Sequence, residues 1–187
     1  SAQAQAAWAV SYVELFSFIT WSSVGLMGAA ATVAGQNLGA GKPERVEASA
    51  FAAARLGLMV AVVIGASFVV MPRVLLNVFG MTDPDAAGIA VTLLRYLAVS
   101  GCFVTVALSF TGALQGTGDT RSPLAISVIS QIIVPLGLCT IFEATVGLEP
   151  WRIWLAVVLG HVTRATLSVW RFRQGKWRTI RVGLSPA

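Results

Sequence analysis

The chain has 187 residues, is 56% hydrophobic and only 11% charged, and has a mean hydropathy of +0.79. A water-soluble domain carries about 25% charge, and this chain has too few polar residues to cover such a surface. The net charge of +5 does not point to nucleic acid, because Arg171, Arg173, Lys176, Arg178 and Arg181 sit together in the last 17 positions, where a basic tail follows a membrane helix.

The opening "SAQAQAAWAV" lacks the basic start of a signal peptide and reads as the interior of a longer polypeptide. The first predicted helix covers about 5–40 and overlaps a run of 27 uncharged residues, Leu15 to Gly41. Runs of about 18 or more apolar residues read as membrane spans. Glu14 is a carboxylate deep in this apolar stretch and so a candidate cavity residue; a place at the headgroups is the alternative. Gly25, Gly28 and Ala29 are expected at a close helix contact, and the two glycines also as places to bend.

The helix ends in "GQNLGAGKPER", Gly35 to Arg45. A P-loop needs a different glycine spacing and a hydroxyl after the lysine, where this chain has Pro43. The segment reads instead as a membrane exit. Gly39 and Gly41 are expected to form a left-handed turn, and Lys42 and Arg45 to meet the headgroups.

The second predicted helix covers about 45–79, with Pro43 at its start and Pro72 as its expected bend. Each of these two helices has about 35 residues, more than the roughly 20 needed to cross the hydrocarbon, so the excess must tilt, bend or project. The third, about 85–116, holds Tyr96, Thr105 and Ser109 as cavity candidates, with packing as the competing role. Arg55 and Arg95 are expected to snorkel to the headgroups. The fourth, about 121–146, carries Gln131 beside Ser127 and Ser130. Pro135 frees the carbonyl of Gln131, so a cavity-facing amide at a kink competes with interhelical bonding. The fifth, about 151–173, holds His161, the single histidine, which has no second ligand at metal spacing. Arg164 is expected to reach the interface, and most of the six tryptophans to form a belt at the span ends.

Period-two alternation is absent, and open sheet edges do not survive in lipid. The predicted fold is therefore an all-α integral membrane bundle of five transmembrane helices. Numbered alternately, one set of ends holds Lys42, Arg45, Arg121 and the basic tail 174–187, and the other holds Asp83, Asp85, Glu143 and Glu149, with Arg73 and Arg152 as the opposing bases. The positive-inside rule then puts the N-terminus outside the inner membrane and the C-terminus in the cytoplasm. A preceding helix is expected. Cys102 and Cys139 lie in apolar spans as space-fillers.

"GAAATVAGQNLGAGKPERVEAS", "NVFGMTDPDA", "LRYLAVSG", "GALQGTGDTRSPLAISVISQ" and "TRATLSVWRFRQGKW" occur in an order and spacing that resemble the multidrug and toxic compound extrusion transporters. The specific parts are Gly35, Gln36, Asn37, Gly39 and Gly41, then Gly116, Gly118, Asp119, Arg121 and Pro123. The resemblance implies a partial C-terminal lobe over 1–187, about helices eight to twelve of a twelve-helix, two-lobe antiporter. Its implied partners are membrane lipid, the missing N-terminal lobe with the preceding helix, and small cationic substrates. It implies exchange of Na⁺ or H⁺ for cationic amphipathic drugs, with no cofactor. Some relatives carry a cation-binding acid in the stretch that here reads "GCFVTVALSFTG"; this chain has Val104 near that place and no carboxylate, so no coupling-ion site transfers to it.

Two other readings compete. A lipid-linked-precursor flippase of the same superfamily would need cavity cations for pyrophosphate, and the mid-span interiors hold almost none. An integral membrane enzyme would need clustered acids or histidines at the membrane face; the loops at the basic end offer Glu44, Glu47 and Asp119 without catalytic spacing.

Overall fold

The computed structural model describes residues 2–180; Arg181 and the rest of the tail lie outside the described residues. The described chain is helical with no strand. Five helices are long and apolar enough to cross a membrane: Ala2–Gly39, Pro43–Val70, Pro84–Gly116, Arg121–Val146 and Pro150–Arg173. They are called the first to fifth helices below.

The third helix is the centre. Of its most apolar 18 residues 72% are buried within the bundle, against 11% for the fourth. It packs on the first, second and fifth helices, and the fourth rests mainly on the fifth. The first and third helices run parallel in a fixed register. Ile19 meets Gly101, Ser23 meets Thr105, Met27 meets Gly112 and Ala31 meets Gly116. The steps of four on the first helix are the helical repeat of one face. Gly57 against Thr105 and Gly65 against Ala98 set the second helix antiparallel to the third. Tyr96 with Trp154, Ser100 with His161 and Phe110 with Phe172 set the fifth parallel to it.

Several sequence expectations are corrected here. Gly25 and Gly28 are exposed, with nothing within 4 Å of a Cβ added to either. The contact face of the first helix runs through 19, 23, 27 and 31, and 25 and 28 point off it. The irregularity in that helix is not at a glycine but in a π-helical segment, Ala9–Leu15. The second predicted helix is two: it stops at Val70, and a short helix, Pro72–Val78, follows Met71. Pro72 lacks the N–H that would continue the ladder, and it starts a new helix instead.

Of the two expected turn glycines, Gly41 (φ 69°) is left-handed and Gly39 is not; at the end of the third helix Gly118 (φ 91°) is left-handed and Gly116 is not. Gly116 is needed for a different reason, since a Cβ there would run into the Ala31 backbone. One tryptophan stands apart from such a belt. Trp177 is fully buried, stacked on Phe172 at 5.2 Å, and its indole N–H donates to the Phe172 carbonyl at 2.9 Å. Gly175 (φ 68°) reverses the chain so that Trp177 folds back among Val46, Ala50 and Phe110.

Candidate functional site

The exposed helices are the irregular ones. The first contains the π-helical segment Ala9–Leu15, and the fourth contains another, Ile129–Ile133. Such segments occur frequently at functional sites. In the fourth helix the cause is visible: Pro135 has no N–H for the carbonyl of Gln131, and the widened turn lies just before it. Glu14 sits on the first π segment and Gln131 on the second, both exposed, and neither side chain has a hydrogen-bond partner among the described residues. The structure does not bring them together: the first helix packs on the third, the fourth on the fifth, and the two make no extended contact.

Between these segments lies a buried polar junction. Ser100 on the third helix is hydrogen-bonded to Nδ1 of His161 at 2.5 Å, and the imidazole stacks on Phe16 of the first helix at 6.2 Å. The neighbouring Gly160 presses against the Ser130 carbonyl and the Pro135 ring. The fifth helix thus joins both π segments to the central helix through two adjacent residues. His161 is 4% exposed and Ser130 fully buried. No group of three metal-ligating side chains occurs among the described residues. The partner of His161, Ser100, lies on another helix, 61 residues away, where no spacing along the chain reveals it.

The other cavity candidates divide. Tyr96 is half-buried, its ring 6.0 Å from Trp154. Thr105 and Ser109 are buried and face inward: Ser23 donates to the Thr105 hydroxyl at 2.7 Å, and Ser109 donates to the Thr105 carbonyl at 2.9 Å. Packing of the third helix on its neighbours buries both hydroxyls, the packing role that competed for them. Arg164 is also corrected. It does not stretch to the interface but turns toward the fourth helix, with Nη2 3.4 Å from the Ser127 hydroxyl.

At the basic end, the two glycine-rich exits meet. A Cβ on Gly35 would lie 2.9 Å from the Gly116 carbonyl oxygen, so "GQNLGAG" and "GALQGTG" are apposed rather than merely similar. Gln36 is exposed, and the Asn37 amide donates to the Val33 carbonyl at 2.8 Å. Asp119 is 5% exposed and accepts from Arg171 at 2.7 and 2.8 Å and from the Ser122 N–H at 3.1 Å. Burial alone would raise its carboxyl; the bonds from Ser122 and the Arg171 guanidinium outweigh burial and hold it below the usual carboxylate range. Arg121, in the same motif as Asp119, is exposed, while Pro123 is buried at the start of the fourth helix. Glu47 pairs with Arg178 and ties the turn around Trp177 to the second helix.

Residues 2–141 match the MatE family model. Proteins described as "Probable multidrug resistance protein NorM" are similar to this chain. That of Rhodopseudomonas palustris is 28% identical over 157 residues, 81% of this chain and 32% of the relative. That of Thermotoga maritima is 27% identical over 165 residues, covering 88% and 35%. That of Pasteurella multocida is 30% identical over 165 residues, covering 85% and 34%. The chain spans about a third of the length of these relatives. Among solved structures, the eukaryotic MATE transporter AtDTX14 superposes with a TM-score of 0.82 at 15% identity, over 95% of this chain and 39% of that one, a likeness of fold.

Proposed function

The chain belongs to the MatE family, and from that premise we propose that it forms part of one lobe of a multidrug efflux transporter of cationic amphipathic compounds. The observation that carries the reading is the family match over 2–141, which includes both apposed glycine-rich exits. Two lobes would rock about a shared cavity and expose it to each side in turn. The exposed first and fourth helices, irregular at Glu14 and Gln131, are the surfaces this chain offers to such a cavity. The driving ion, Na⁺ or H⁺, would bias the two states by binding one better. We place its site elsewhere in the transporter, because the stretch around Val104, where the resemblance leads one to look for a cation-binding acid, holds no carboxylate.

The test is export of several cationic dyes by the full-length protein in an efflux-deficient bacterium, with and without collapse of the ion gradients. Gln131→Leu is expected to shift export of some dyes by about 3–10-fold and leave others unchanged, as loss of one hydrogen bond of ~1 kcal/mol would. A uniform loss that follows protein level would return Gln131 to packing. No gradient-dependent export of any dye would reject the transporter reading.

The orientation is proposed with the basic end in the cytoplasm. Single cysteines at Lys42, Thr120 and Lys176, in a background lacking Cys102 and Cys139, are expected to react with an impermeant maleimide only in opened cells. Cysteines at Asp83 and Gly147 should react in intact ones. Reaction of Lys42 and Asp83 from the same side would refute it.

A further inference from the structure

An apolar groove of about 480 Å³ runs along the outer surface between the second, third and fifth helices. Leu58, Phe103, Val106 and Val169 form its walls, and Trp170 and Arg173 stand at its mouth at the basic end of the bundle. From Ala165 to Arg173 is eight residues, roughly 12 Å of helix at 1.5 Å per residue. That approaches the depth of one leaflet of a hydrocarbon core about 30 Å thick. Trp170 is 61% exposed, and Arg173 is exposed with no ion pair or hydrogen bond among the described residues. On the fifth helix Arg173 lies nearly opposite Arg171 at about 100° per residue, and Asp119 already neutralises Arg171. Arg55, exposed on the second helix, lies one turn nearer the basic end than the groove residue Leu58.

We propose that this groove is a binding site for one anionic phospholipid, with an acyl chain along Leu58, Phe103 and Val106 and the phosphate on Arg173. Three features single out that occupant. The walls are apolar over most of a leaflet's depth, which disfavours a free phosphate or a polar peptide. The mouth carries an unpaired cation, which favours a net negative headgroup over a zwitterion. The exposed indole beside the cation sits where amphipathic rings meet headgroups.

The experiment reconstitutes the full-length protein in nanodiscs and reads quenching of Trp170 by lipids with brominated chains. The Trp170→Phe variant supplies the background from the other tryptophans. Brominated phosphatidylglycerol diluted into phosphatidylcholine is compared with the reverse mixture. Phosphatidylglycerol is expected to associate about fivefold more strongly, the factor for one cation at an anionic surface. Arg173→Gln should bring that ratio to about one and Arg173→Lys should keep it. Arg121→Gln, which removes an exposed cation at the same end but away from the groove, should also keep it. Equal quenching by both lipids, or equal loss of preference in Arg121→Gln, would reduce the effect to general surface charge and overturn the site. No quenching by either lipid would show the groove covered by protein and overturn it too.

Discussion

Gly112→Leu is expected to abolish accumulation of folded protein, a loss of more than tenfold in the monodisperse peak on detergent gel filtration. A Cβ at Gly112 would collide with the carbonyl of Met27, and one at Gly116 with that of Ala31. In both cases the obstacle is the backbone of the first helix and not the end of a flexible side chain. Overpacking a core typically costs 1–3 kcal/mol because neighbours can shift. Here the only relief is to part the first and third helices. That would break the register through Ile19 and Gly101 and the Ser23–Thr105 bond, which lie on the same face. In lipid, helices gain little from hydrophobic burial and depend on such close packing. Gly25→Leu is the control, since nothing lies within 4 Å of that position. Equal accumulation of Gly112→Leu and Gly25→Leu would mean that the two helices do not meet at this crossing.

The same pair of glycines shows how far the sequence could be read. Uncharged runs such as Tyr96–Gly118 exceed what a soluble helix needs, so the existence of membrane helices was legible from length and charge alone. The exits were legible too: the first and third helices end where glycine is followed by Lys42 and by Asp119 and Arg121. Which face of each helix packs was not legible. A helix that is apolar on every side gives no stripe to follow, so Gly25 and Gly112 look alike until a partner is placed beside them. The G-x-x-x-G spacing from Gly112 to Gly116 was the available signal.

The same gap explains Thr105 and Ser109. Their hydroxyls suited a wet cavity equally well, and only the position of Ser23 and the first helix turns them inward. Trp177 escaped for a converse reason. A tryptophan amid Lys176 and Arg178 looks interfacial, and its burial depends on the reversal at Gly175 and on Val46 and Phe110 far away in sequence. For the candidate site, Pro135 announced the disturbance at Gln131, whereas no proline marks the π segment at Glu14. The contact of Ser100 with His161 needed the third and fifth helices in register before either residue had a partner.

Asp119→Leu is expected to lower stability by about 2–4 kcal/mol, read as a fall in Tm of several degrees in detergent. Removing one partner of a buried ion pair costs more than the pair is worth, because the remaining charge is stranded. Arg171 is 20% exposed, which tempers the penalty relative to a fully enclosed pair. Asp119 also accepts the Ser122 N–H at the start of the fourth helix, so leucine removes a cap as well as a charge. Asp119→Asn separates the two roles, since the amide oxygen still accepts from Ser122 while the charge on Arg171 is left unanswered. It should lie between the wild type and leucine. Combining it with Arg171→Gln should cost less than the sum of the single changes, the sign of a direct interaction. The pH dependence has a definite direction. The folded carboxyl is held below its unfolded value, so its contribution is complete above the ordinary aspartate range, about pH 4. It is lost as pH falls through the lowered folded value. Wild type and Asp119→Asn should therefore differ fully at pH 7 and converge in acid below about pH 4. A constant difference between them across that range would assign the effect to the cap and not to the charge. No difference at any pH would remove the ion pair from the forces that hold the fifth helix to the turn between the third and fourth.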